Sequence, residues 1–236
     1  MVFLPLSDNI PGKRTPYVVY GFILVNVLVF IYEFYLDLFY PAKFNQFVNT
    51  YALIPRDIAH FENMGTLVTS MFLHGGLMHI FGNMLFLFIF GNNVEDSMGH
   101  IRFFSFYMLC GFAASFLQVL VGPSVAIPNL GASGAIAGVL GAYMITYPKA
   151  KVNTLIFLGF FVIVRRVSAL FFLGVWFVLQ LFSGDGSITE TSAGIAYFAH
   201  IGGFLAGIAL CFVFRKEVRE RDERDKWDEL IYRGYG

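Results

Sequence analysis

The chain has little cysteine and little charge: two Cys among 236 residues, Cys110 and Cys211, and 14% Asp, Glu, Lys and Arg together. Both cysteines sit inside apolar runs, which excludes a disulfide scaffold and makes them buried fillers. So small a charged fraction cannot cover a water-soluble particle of this size, because 57% of the residues are hydrophobic against roughly 45–50% in soluble domains. Disorder and collagen-like structure are excluded by the same excess. The formal net charge of +0 gives no reason to expect nucleic acid as a partner. What remains is a chain whose solvent is lipid.

Crossing about 30 Å of hydrocarbon takes roughly 20 apolar helical residues, since each backbone amide must be satisfied within its own segment. Six stretches qualify, near Tyr17–Phe39, Leu77–Val94, Phe103–Val121, Ser133–Tyr147, Val167–Phe182 and Ile195–Phe214. The first exceeds the apolar length of a cleaved signal and has no small-residue cleavage site after it, so it reads as a retained anchor. Six crossings place both termini on one face. With the N-terminus inside, every Lys and Arg except Lys43 and Arg56 falls on the inner side, 14 of 16 in all, as the preference of short cytoplasmic loops for positive charge requires. An odd number of crossings would put the tail cations outside. The expected architecture is therefore an all-α, polytopic six-helix bundle with both termini cytoplasmic. Residues 1–16 form a short N-terminus, 17–214 the membrane domain and 215–236 a charged tail.

Two connecting stretches read less simply. Between Phe39 and Gly76 the aromatics Phe44, Phe47, Tyr51 and Phe61 suggest a segment lying on the outer interface. Val152–Val164 is apolar but is flanked by Lys149 and Lys151 on one side and Arg165 and Arg166 on the other, which reads as an inner interfacial segment and not a seventh span.

A strongly polar side chain inside a span is costly and points to function. His79 and Asn83 on the second span, Ser133 at the start of the fourth and His200 on the sixth stand out. His79 lies 16 residues before Glu95, Ser133 16 before Lys149, and His200 15 before Arg215. At 1.5 Å per residue, all three sit roughly 22 to 24 Å above the inner boundary, in one plane below the outer surface. Asn83 lies one turn deeper, on the face of His79. The fourth span carries Gly134 and Gly138, the sixth Gly203 and Gly207, the small-residue spacing that lets helix backbones approach in lipid. Packing those faces together brings His200 towards Ser133.

A serine hydroxyl becomes a nucleophile when a neighbouring base takes its proton, and a buried, neutral histidine is the usual base. No Asp or Glu lies at the depth needed to orient the ring, so a dyad is expected; Asp185 is the one remote candidate for a third member. Ser133 opens its helix, where backbone amides and the positive dipole end favour an oxyanion. Asn83 and His79 can add side-chain donors, and their plainer reading is an interhelical hydrogen bond worth about 1 kcal/mol. The soluble-hydrolase elbow Gly-x-Ser-x-Gly does not fit, because Gly131-Ala132-Ser133-Gly134 continues with Ala135 and follows a loop.

Three motifs together, His74-Gly-Gly-Leu-Met-His79-Ile-Phe-Gly-Asn83, then Gly131-Ala-Ser133-Gly134, then Ala199-His200-Ile-Gly-Gly203-Phe-Leu-Ala-Gly207, resemble the rhomboid intramembrane serine proteases in order and spacing. The resemblance implies a six-helix core that cleaves transmembrane substrates near the outer face. It makes Ser133 the nucleophile, His200 the base, and Asn83, His79 and the Ser133 amide the oxyanion donors, with His74 ordering the outer loop. The sequence departs from many members in two places. Gly65-Thr66 stands where they carry Trp-Arg, and Ala137 stands where they carry an aromatic that stacks on the base, which leaves the imidazole less firmly held.

The partners expected are transmembrane protein substrates and the lipid bilayer, with no cofactor and no metal, in what looks like a prokaryotic cell membrane. Glycines Gly184, Gly186 and Gly194 suit a mobile cap in the loop Ser183–Ile195. The rival readings are a transporter with a central His and Asn, and a non-catalytic membrane chaperone that uses the same cavity. Against the transporter stand the lack of inverted repeats and of any carboxylate within the membrane, Glu33 and Asp37 lying near an outer helix end.

Overall fold

The structure is a computed structural model that describes residues 2–158, 161–184 and 197–215. Strand β1, Val2–Asp8, precedes helix α1, Tyr17–Phe39. Three short helices follow: α2, Pro41–Tyr51, α3, Pro55–Ala59, and α4, Thr66–Thr69, which runs into a 3₁₀ turn at Ser70–Phe72. The second long helix is continuous but mixed: α5, Leu77–Phe86, a π-helical turn at Leu87–Gly91, and α6, Asn92–Met98. Helices α7, His100–Val121, and α8, Ser133–Thr146, come next. Strands β2, Lys151–Leu158, and β3, Phe161–Ser168, lead to α9, Ala169–Gly184, and α10, Tyr197–Phe214.

Among the described residues, four helical segments are long and apolar enough to cross a membrane: Tyr17–Phe39, Leu77–Met98, His100–Val121 and Tyr197–Phe214. Two shorter apolar helices, Ser133–Thr146 and Ala169–Leu179, stand where the fourth and fifth spans are expected. The chain is a multi-pass membrane protein. Its exposed large apolar side chains, such as Leu24, Leu28 and Ile31 along α1, form the kind of surface that lipid covers.

The all-α expectation is corrected by a three-stranded antiparallel sheet in the order β1-β2-β3. The stretch read as an interfacial segment is its hairpin, with Lys151 opposite Ser168 and Leu158 opposite Phe161. Apolarity alone does not distinguish helix from strand, but this stretch is rich in Val, Ile, Phe and Thr, which fit a pleated surface. Pro5 is tolerated because β1 is an edge strand, and the pairing is irregular between Pro5 and Ser7. The segment from Phe39 to Gly76 is likewise no simple loop: it carries the short helices α2 to α4.

Buried acceptors from α6 fix the start of α1. Glu95, 1% exposed, accepts from Val18 N–H at 3.1 Å and Val19 N–H at 2.8 Å, which satisfies amides in the helix's first turn and places negative charge at its positive end. The Lys13 N–H donates to Asp96 at 3.1 Å. Asp8 accepts from Asn93 Nδ2 at 2.6 Å and from the Tyr143 hydroxyl, so the sheet is joined to the same end of the bundle. This is the sheet end. The opposite end carries the site.

The innermost contact is between α8 and α10. A Cβ on Gly203 would lie 1.9 Å from the Gly134 carbonyl oxygen, and one on Gly207 would lie 2.0 Å from that of Gly138. No side chain fits at either place. Gly134 and Gly138 in turn face α7, where a Cβ would meet Ala114 at 2.7 Å and Cys110 at 2.5 Å. Cys110 and Cys211 are both buried and free. The expected mobile cap and Asp185 fall mostly outside the described residues, as does nearly all of the charged tail.

Candidate active site

Ser133 is the first residue of α8 and His200 lies in the first turn of α10. The glycine contact between those helices brings the two side chains together across 67 residues of sequence, with His200 Nε2 2.8 Å from Ser133 Oγ. With the ring proton on Nδ1, Nε2 is the acceptor for the Ser133 hydroxyl, the arrangement a general base needs.

The loop before Ser133 is held from the outer segment. Leu53 and Asn129 exchange backbone bonds of 2.9 and 2.7 Å, and Gly131 N–H donates to the Ser70 carbonyl at 2.9 Å. Gly131 has φ +126°, and a Cβ there would be 2.7 Å from His79 Nε2 and 3.6 Å from Asn83 Nδ2. Glycine is required on both counts. His79 and Asn83 therefore lie against the backbone that leads into the serine. The Ser133 amide belongs to the first turn of α8, whose N–H groups have no intrahelical acceptor; the helical ladder begins with Ile136 N–H to the Ala132 carbonyl at 3.0 Å.

Ser133, His200, His79 and Asn83 line one cavity of about 430 Å³, with Trp176 and Met78 among its other walls. His74, 1% exposed, lies behind it. Its Nε2 is 3.0 Å from Asn83 Nδ2, and its ring centroid is 5.1 Å from that of His79. Burial first, and then the repulsion that a second imidazolium beside His79 would meet, hold the His74 imidazole below its ordinary value. The neutral ring accepts from Asn83 through Nε2 and leaves the second N–H of that amide for the cavity. Gly75 N–H donates to His79 Nδ1 at 3.3 Å, which leaves the proton of the neutral ring on Nε2, the nitrogen beside Gly131.

Three residues at the site escape sequence reasoning. Ala137, fully buried, offers His200 no ring, but Trp176 of α9 approaches it with centroids 5.9 Å apart and planes 40° to one another. Gln118, near the end of α7, accepts from the Ala199 N–H at 3.1 Å, one residue before the histidine. Glu33 is 1% exposed and accepts from the His74 N–H at 3.0 and 3.3 Å. Its position near the outer end of α1 is as the sequence places it, and the structure adds its burial. The signal for Gln118 and Glu33 is in the sequence, as a lone polar side chain in the closing turns of an apolar run. At the position of the missing Trp-Arg pair, Thr66 is buried and donates its hydroxyl to the Asn63 carbonyl at 2.8 Å. Among the described residues no group of three or more His, Cys, Asp or Glu is arranged to hold a metal ion.

A hydroxyl paired with an imidazole over donors, in a cavity of a membrane-spanning bundle, defines a class, and comparison with known proteins gives it a family. The model of the "Rhomboid domain" matches residues 62–217, more than half of the chain, and the protein belongs to the rhomboid family. Among curated proteins it is 29% identical to "Rhomboid protein 1, mitochondrial" of Saccharomyces cerevisiae over 87% of this chain and 56% of that one. It is 31% identical to "RHOMBOID-like protein 1" of Arabidopsis thaliana over 66% of this chain and 36% of that one. It is 26% identical to "Rhomboid-like protease 3" of Toxoplasma gondii over 71% and 57%. The chain thus spans little more than half the length of these relatives, or less.

Proposed function

We propose that the protein is an intramembrane serine endopeptidase that cleaves transmembrane protein substrates near the outer face of the bilayer. The observation that carries the proposal is the 2.8 Å contact between His200 Nε2 and Ser133 Oγ at the wall of a cavity that His79 and Asn83 also line. In the reaction Ser133 Oγ attacks the scissile carbonyl carbon while its proton passes to His200 Nε2. The carbonyl oxygen becomes an oxyanion that the Ser133 N–H, Asn83 Nδ2 and His79 Nε2 can stabilise. Collapse breaks the C–N bond, and the leaving amine takes the proton from His200. Water then gives a proton to His200 and attacks the acyl ester, and the departing Ser133 oxygen recovers that proton. No cofactor enters any step.

A helical substrate hides its carbonyls in its own hydrogen bonds, so small or helix-breaking residues are expected at the cut. The bundle is proposed to have six spans with the sheet end in the cytoplasm, which keeps 14 of 16 cations inside. Relatives named mitochondrial and chloroplastic favour an organellar membrane over the prokaryotic one that the sequence suggests. The buried Glu33 removes one argument against a transporter, yet its oxygens converge on a backbone N–H and not on a group lining the cavity.

The test is cleavage of a membrane-anchored reporter in proteoliposomes by wild type and Ser133→Ala, with fluorophosphonate labelling in parallel. Wild type should cut and label at Ser133, and the variant should lose activity by about 1000-fold or more. Equal cutting by both would remove the mechanism. A transporter or chaperone would neither cut nor label.

A further inference from the structure

We propose that Glu33 is a positioning residue: from α1 it fixes the segment His74–Gly75, and through that segment the aim of both side-chain donors to the oxyanion. The proposal rests on the protease reading and adds to it a residue on a helix that holds none of the reacting groups.

An ionisable side chain deep in a membrane protein is costly and needs a hydrogen-bond partner. Glu33 has one. Both carboxylate oxygens lie within hydrogen-bond distance of a single donor, the N–H of His74, at 3.0 and 3.3 Å. The residue it grips is the junction between the outer segment and α5, and that junction makes two further contacts. The His74 imidazole accepts from Asn83 Nδ2 at 3.0 Å, and the next amide, Gly75 N–H, donates to His79 Nδ1 at 3.3 Å. The first turns the Asn83 amide so that its second N–H is left for the cavity. The second leaves the proton of His79 on Nε2, against Gly131.

One carboxylate thus sets the rotation of an amide and the tautomer of an imidazole without touching either. It makes no hydrogen bond to Ser133 or His200 among the described residues, so its loss leaves the nucleophile and base in place and misdirects the donors. A misplacement of about 1 Å at such a site can cost roughly 100-fold in rate. Because the donors act on the developing negative charge, the loss should fall on kcat and not on KM.

The experiment compares wild type, Glu33→Gln and Glu33→Met with Ser133→Ala in proteoliposomes, using the membrane-anchored reporter. Met keeps the volume and has no oxygen to accept; Gln keeps an uncharged acceptor. The expected order of kcat is wild type, then Gln down about 2- to 5-fold, then Met down about 10- to 100-fold, with KM within about 2-fold and fluorophosphonate labelling of Ser133 slowed in the same order. A purely structural role is separated by a double-mutant cycle. In an Asn83→Ala, His79→Ala background the Glu33 substitutions should lower kcat by less than about 2-fold, since no donors remain to aim. If Met unfolds the protein, Gln alone carries the cycle. An active wild type with unchanged kcat in both variants, or with full additivity, overturns this proposal alone. A wild type no more active than Ser133→Ala overturns the protease reading and this inference with it.

Discussion

The Ala199 N–H donates to Oε1 of Gln118 at 3.1 Å, so the turn of α10 that carries His200 is tied to the end of α7 by a side chain and not by packing alone. The amide lies in the first turn of its helix, where no backbone acceptor is within reach. Gln118→Leu should leave it unsatisfied, at about 1–3 kcal/mol, and let the imidazole drift from Ser133. Reporter cleavage should fall about 10-fold in kcat, with Gln118→Glu, which keeps the acceptor, closer to wild type. Unchanged kinetics in the Leu variant would show that the tie has no bearing on the dyad.

The meeting of α8 and α10 predicts a sharp contrast between glycines. Gly207→Ala would place a methyl 2.0 Å from the Gly138 oxygen, whereas a methyl added to Gly174 of α9 would meet nothing within 4 Å. The first should destabilise the protein by about 1–3 kcal/mol or more through overpacking. The second should be neutral or stabilising by up to about 1 kcal/mol, since alanine is the better helix former. Melting of the detergent-solubilised protein measures both, and an equally tolerated Gly207→Ala would contradict the backbone contact.

Trp176 stands beside His200 where Ala137 supplies no ring. Its removal in Trp176→Ala should lower kcat about 3- to 10-fold, in line with an aromatic contact worth roughly 0.5–1.5 kcal/mol. Trp176→Phe should restore most of the loss. Because Trp176 also lines the cavity, a rise in KM alone, with kcat unchanged, would assign it to substrate contact and not to the base.

Asp8 gives a dependence on pH. Burial pushes its carboxyl above the ordinary value of 3.8, against hydrogen bonds from Tyr143 and Asn93 that favour the charged form. A carboxyl with a raised folded-state value holds its proton more tightly in the fold than in the unfolded chain. Its contribution is therefore complete below 3.8 and is lost as pH rises through the raised value. The melting temperature of wild type relative to Asp8→Asn should fall as pH rises above 3.8. A constant difference would mean that the carboxyl is not raised.

How far the sequence reaches can be judged from particular residues. Ser133, His200, His79 and Asn83 are legible because each breaks an apolar run at a countable depth, and the rise of a helix converts that count into a common plane. The glycines of α8 and α10 are legible for a similar reason, as a spacing that leaves one helix face bare. Glu33 is legible in height but not in role: its distance from Phe39 puts it near the outer end of α1, but its contact with the His74 backbone, 41 residues away, leaves no local sign. Trp176 is hidden because an aromatic in an apolar helix looks like any lipid-facing ring. The sheet is lost because the β2–β3 hairpin is apolar enough to pass for an interfacial segment and the third strand, β1, lies about 150 residues away.

That pairing has a consequence for how the molecule is made. Val2 lies opposite Phe157 and Asp8 opposite Val152, so β1 finds its neighbour only after about 150 further residues have been added. At roughly 5–20 residues per second, about 8 to 30 s of translation separate the two. Through that interval the three helices Tyr17–Phe39, Leu77–Met98 and His100–Val121, each long and apolar enough to cross a membrane, are made while β1 lacks its partner. A strand made before α1 is thus fixed only after α8 is complete.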